Sequence, residues 1–159
     1  MRIEAKLQEM GLSLPETQAT PGGVRLRFSR VRVRGDRAFI AGHGPQSAGG
    51  ATLPRGKVGA DLTVEQGYEA AKLTGLSMLA SLKTALGDLD RVTAWLRVFG
   101  MVNSAPGFVR QPEVINGFTD LILDLYGEDA GAHSRCAVGM AELPAGIPVE
   151  IEAEVEIDG

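Results

Sequence analysis

Long apolar runs are missing from this 159-residue chain. No stretch approaches the roughly 18 consecutive apolar residues of a membrane-spanning helix. The opening residues, Met1 to Gly11, are charged throughout and lack the apolar centre of a secretory leader, so a soluble, cytoplasmic protein without a membrane partner is expected. An excess of basic residues is missing too: 16 Lys and Arg stand against 20 Asp and Glu. A general nucleic-acid binder needs surplus positive charge to displace counterions, so no nucleic-acid partner is expected. Cysteine occurs once, as Cys136, which excludes an internal disulfide. Two histidines, His43 and His133, far apart from each other and without a second thiol, give no recognisable metal site. The glycine-rich loop 42–50 has neither the Lys-Ser/Thr of a phosphate loop nor a dinucleotide fingerprint, and no cofactor is expected. Aromatic residues make up only 5%, whereas glycine reaches 21, which points to tight turns and a core of small side chains.

What is present is most strongly patterned at the end. Val149, Ile151, Ala153, Val155 and Ile157 alternate with Glu150, Glu152, Glu154 and Glu156, the period of a strand with one buried face. The run from His133 to Leu143 is also β-compatible, and Leu143 to Pro148, with two prolines and a glycine, is a stiff connection. Arg135 interrupts a small, apolar strand, and four glutamates on one face repel one another, so both demand partners.

In chain order, residues 2–10 read as a short appended helix with Ile3, Leu7 and Met10 on one face. Residues 13–23 read as an extended linker, which makes 1–23 an extension and 24–159 a single domain. A strand is expected from Val24 to Phe28, a phase change near Ser29, then Val31 and Val33 in a hairpin through Gly35-Asp36 to a buried strand Arg37–Gly42. Thr63 and Gln66 form a capping box for a helix of about 23 residues ending at Gly87. A strand follows over Arg91–Val102, and a second helix runs from near Pro112 to Gly127. The order ββ-α-β-α-ββ defines an α+β fold, a mixed sheet with two helices. Two helices cover only one sheet face, so the other is expected to pack against further copies of the chain. The first strand is expected beside the last, with Arg30, Arg32 and Arg34 facing Glu152, Glu154 and Glu156.

The segment SRCAVGMAELPAGIPVEIEAEVEI, with Phe39-Ile40-Ala41-Gly42 at the usual distance before it, resembles the Rid family of reactive-intermediate deaminases. That family is also labelled YjgF or endoribonuclease L-PSP, and GKVGADLTVEQG, GDLDRV and VNSAPGF resemble a divergent YjgF-like branch. The resemblance implies a chorismate-mutase-like fold whose open sheet faces assemble as a homotrimeric barrel with ligand clefts at subunit boundaries. It implies a RidA-like hydrolytic deaminase of small 2-imino or enamine acids, in which Arg135 holds the substrate carboxylate and Glu150, fifteen residues later, positions water. Departures are present: the family's cleft tyrosine and serine fall on Phe28 and Ala41, and its cysteine falls on Ala137.

Read as chemistry, the Arg135 guanidinium is a rigid fork for a carboxylate or else the partner of a glutamate. Glu150 is a general base or a solvated strand-face carboxylate. Phe28, Gly42, His43 and Ala137 are candidate ligand-lining residues, Gly42 and Ala137 through backbone N–H groups. Cys136 is expected to be a buried, inert thiol. Two hypotheses stand: a trimeric deaminase (a hydrolase), or a non-catalytic trimer that binds a small carboxylate metabolite. Ribonuclease activity is disfavoured by the acidic balance and the absence of paired histidines. Were the last two strands paired directly, Arg135 and Glu150 would lie roughly 20 Å apart. One site for both therefore requires that these strands be separated in the sheet or that the two side chains come from different subunits.

Overall fold

Thr63 starts the longest element. Its side chain accepts the Gln66 N–H while the Gln66 side chain accepts the Thr63 N–H, and helix α2 then runs Val64–Leu86 to Gly87, whose φ of 84° ends it. The computed structural model describes residues 1–17 and 25–159. Around α2 stand helix α1 (Arg2–Glu9), strands β1 (Val31–Arg34), β2 (Arg37–His43) and β3 (Val92–Asn103), helix α3 (Gln111–Ala130), and strands β4 (Ser134–Met140) and β5 (Val149–Ile157). Within α3, Gly127 leaves helical geometry at φ 80°, where the sequence expects the helix to stop.

The five strands form one mixed sheet in the order β1-β2-β5-β3-β4. β4 runs parallel to β3, and all other pairs are antiparallel. The α+β fold and the element order expected from sequence are both present. The two final strands are separated by β3.

β5 buries Val149, Ile151, Ala153, Val155 and Ile157 against α2 and α3, and turns its glutamates to the opposite, uncovered face. Trp95 of β3, 1% exposed, is packed edge-on by Phe118 and Tyr126 of α3. The two helices approach so closely at Gly117 that a Cβ there would lie 2.0 Å from the Tyr68 carbonyl oxygen. α1 is tied down by Asp90, whose carboxylate accepts the N–H groups of Arg2 and Ile3 at 2.6 and 2.8 Å.

Two expectations fail. Residues 25–30 are irregular, so the strand through Phe28 is absent over the described residues, and Val24 and most of the linker reading lie outside them. Among the described residues, the Ala41 N–H to Arg30 carbonyl bond continues the pairing beyond β1. β1 lies beside β2, not beside β5, because a two-residue turn at Gly35-Asp36 folds it directly onto β2. The glutamate row therefore meets Arg37 and Arg97 instead: Arg37 pairs with Glu154 at 2.5 Å, Arg97 with Glu152 at 3.9 Å, and Thr93 donates to Glu156 at 2.8 Å. The uncovered face carries this lattice of opposite charges beside Phe39 and Phe99.

Candidate functional site

Arg135 sits on β4 opposite Val98, a residue that faces the helices. The alternation of a strand turns Arg135, Ala137 and Gly139 the same way, towards α3. The guanidinium lies along that helix, donating from Nη1 to Thr119 Oγ1 at 2.9 Å and from Nη2 to the Pro112 carbonyl at 3.2 Å. Burial lowers its pKa, against the pull of Asp120, but an arginine remains cationic. Two of its five N–H donors are engaged, and three remain for a ligand.

Glu150 occupies the other face. It is opposite Met101 across β5 and β3, and its Oε2 would lie 3.0 Å from a Cβ at Gly42, so the missing side chain at Gly42 makes room for the carboxylate. Among the described residues, Glu152, Glu154 and Glu156 have the partners named above, and Glu150 is the one of the four left over. Its pKa is raised, by burial first and by the neighbouring Glu152 second. The Arg30 carbonyl accepts the Ala41 N–H at the β2 edge, and Phe28, in the irregular segment before it, is 62% exposed.

The predicted residues therefore fall into two groups. Gly42 and Glu150 share one end of the uncovered face, whereas Arg135 and Ala137 share the β4–α3 edge. Within one protomer the groups are divided by β3: two strand spacings and a three-residue offset put the Arg135 and Glu150 Cα atoms roughly 14 Å apart, with their side chains on opposite faces. A small ligand cannot bridge them there.

His43 belongs to neither group, which corrects its expected place in the cleft. A bulge between Ile40 and His43 shifts the register of β2 against β5 and turns the imidazole inward. There its Nδ1 meets the Ala41 carbonyl at 2.6 Å and its Nε2 meets Ser81 Oγ at 2.8 Å, and burial lowers its pKa. Cys136 is also misplaced by the sequence reading: its thiol is exposed, because β4 is an edge strand whose outer face lacks a cover. Sequence reasoning missed Thr119 and considered His133 only as a metal ligand. His133 Nε2 lies 3.0 Å from Thr119 Oγ1, the same oxygen that accepts from Arg135. The signal was available in part, since His133 directly precedes β4 and stands two residues before Arg135, the spacing of a shared face in extended chain.

Chemically, the β4–α3 edge offers a held cation for a planar anion, and the Gly42 end offers an unpaired carboxyl whose raised pKa suits proton transfer. No helix among the described residues is long and apolar enough to cross a membrane.

Known proteins share this plan. The chain is 39% identical to the protein TCP17 of Trypanosoma cruzi over 157 residues, 99% of this chain and 95% of the other. The crystal structure of Atu1372 from Agrobacterium tumefaciens, a protein of unknown function, superposes with a TM-score of 0.87 at 38% identity, over 99% of this chain and 93% of that one. E. coli TdcF, solved with bound serine, shares the fold at a TM-score of 0.59 and 19% identity, over 92% of this chain and 99% of that one. Residues 4–147, from within α1 to the connection before β5, match the family described as "YjgF/chorismate_mutase-like, putative endoribonuclease". With that match covering the three helices and the first four strands apart from the first residues of α1, the chain belongs to the YjgF/chorismate mutase-like family.

Proposed function

We propose that this protein is a homotrimer that hydrolyses small 2-imino or enamine acids in clefts between subunits, with Arg135 of one protomer facing Glu150 of the next. The observation that carries the reading is the state of Arg135, a guanidinium anchored at two donors on an edge strand with three donors left to grip a carboxylate. Glu150 supports it, as the one unpaired glutamate of its row with a raised pKa. Since the two side chains diverge within a protomer, a neighbouring copy is the simplest way to bring them to one ligand. TdcF with its bound serine is a distant relative that holds a small amino acid, a carboxylate of the size this cleft would take.

In this reading water attacks the imine carbon as Glu150 takes its proton. The C–O bond forms, the C=N π pair moves to nitrogen, and Glu150 returns the proton there to give a carbinolamine. A second transfer by the same carboxylate, from the hydroxyl to the nitrogen, breaks the C–N bond and yields ammonia and a 2-oxo acid.

The second reading, a non-catalytic trimer that binds a small carboxylate, is favoured by Phe28, Ala41 and Ala137, which offer no hydroxyl or thiol where deaminases of the resembling family carry them. Ammonia release from 2-iminopropanoate generated in situ separates the two. The deaminase reading expects release above the uncatalysed rate from the wild type and loss of it in Arg135→Ala. Carboxylate binding that depends on Arg135 without any release would instead establish the binder.

A further inference from the structure

We infer that Thr119 is the positioning residue of Arg135, and that His133 behind it fixes the direction in which the Thr119 hydroxyl points; the inference rests on the reading of Arg135 as the carboxylate anchor. Four groups form an unbroken chain. The Gly131 carbonyl lies 2.8 Å from His133 Nδ1, His133 Nε2 lies 3.0 Å from Thr119 Oγ1, and Thr119 Oγ1 lies 2.9 Å from Arg135 Nη1.

The chemistry of the two ends permits one assignment. A carbonyl only accepts, so Nδ1 of His133 carries the proton, and Nε2 of the neutral ring is then an acceptor. A guanidinium only donates, so the Thr119 oxygen must accept from Arg135 and send its own hydrogen to Nε2. The ring stays neutral because it is buried beside a cation: burial, and then Arg135, lower its pKa. Phe118 packs edge-on against the imidazole and holds its plane.

Thr119 is well suited to the task. A β-branched side chain on a helix has few χ1 rotamers, so its oxygen is held in place before any ligand arrives. Arginine is a flexible side chain that loses considerable rotamer freedom on being fixed. With Thr119 and the Pro112 carbonyl taking one donor each, the guanidinium plane is set and its remaining donors share one orientation. Preorganisation of this kind strengthens binding without adding a contact to the ligand.

The test uses the full chain and pyruvate, the keto-acid product of the proposed reaction, as probe. Thr119→Val keeps the shape and removes the hydroxyl; Thr119→Ser keeps the hydroxyl. Calorimetric titration is expected to give a Kd about tenfold weaker for Thr119→Val and within about threefold of wild type for Thr119→Ser. In nitrogen NMR, wild type and Thr119→Ser are expected to show a dispersed, exchange-protected Arg135 Nη1–H and a His133 ring protonated at Nδ1. In Thr119→Val the Arg135 signal is expected to move to the position of a free side chain. Unchanged pyruvate affinity in Thr119→Val, or an Arg135 signal that does not move, overturns the positioning role. If wild type and Arg135→Ala bind pyruvate equally, it is the carboxylate reading that falls, and the NMR signal still decides whether Thr119 holds the guanidinium.

Discussion

Removing the guanidinium of Arg135 takes away a charge-assisted, two-pronged partner, and Arg135→Ala should lose roughly a hundredfold in carboxylate affinity. Glu150→Gln keeps the shape at Gly42 but cannot accept a proton. It should bind within about threefold of wild type while turnover drops roughly a hundredfold. Equal losses of affinity in both variants would contradict this division. The buried histidines set a pH dependence. His43 and His133 both have lowered pKa values in the fold, so the unfolded chain takes up protons near the ordinary histidine value that the folded chain refuses. The stability they support is fully present above about pH 6.5 and is lost as pH falls towards their folded values. Arg30 beside His43 and Arg135 beside His133 act in the same direction as burial, whereas the raised Glu150 works weakly in the opposite sense, costing stability as it ionises on raising the pH. Urea midpoints should therefore be lower at pH 5.5 than at pH 7.5, and a higher midpoint at pH 5.5 would show that the imidazoles are not buried neutral.

The elements that local chemistry determines could be read from the sequence. Thr63, Gln66 and Gly87 mark both ends of α2, and the glutamate alternation marks β5. Where pairing between distant segments decides, local pattern was a poor guide. Val24 to Phe28 alternates like a strand, yet the pairing with β2 begins only at Val31. The Arg-rich β1 looked like the natural partner of a glutamate row, but the tight turn after it placed β2 in between. One inserted residue in β2 sent His43 to the wrong side of the sheet for any count by twos. The contact between α2 and α3 was equally hidden, since nothing local distinguishes Gly117 from a solvent-facing glycine. Gly117→Ala should cost about 2–3 kcal/mol, because its methyl meets a backbone carbonyl that cannot rotate away. That amounts to a melting temperature lower by roughly 5–10 °C in a chain of this size, and a variant melting with the wild type would show that the helices can part at no cost.

At the scale of the whole molecule, Arg135 and Glu150 could be picked from sequence as candidates, but their relation could not. The spacing of fifteen residues fixed neither the strand between them nor the faces they occupy, and only the sheet order with β3 in the middle shows that one protomer points them apart. A site that contains both must then be shared between chains. Mixing Arg135→Ala with Glu150→Gln chains, each inactive alone, tests that arrangement most directly through ammonia release from 2-iminopropanoate. With the residues donated by neighbouring subunits, random exchange in equal amounts leaves about one site in four with both residues intact, and activity should return to about a quarter of the wild-type value. With both residues donated by one chain every site would keep a defect, and activity that stays at the level of the unmixed variants after exchange would contradict the shared site.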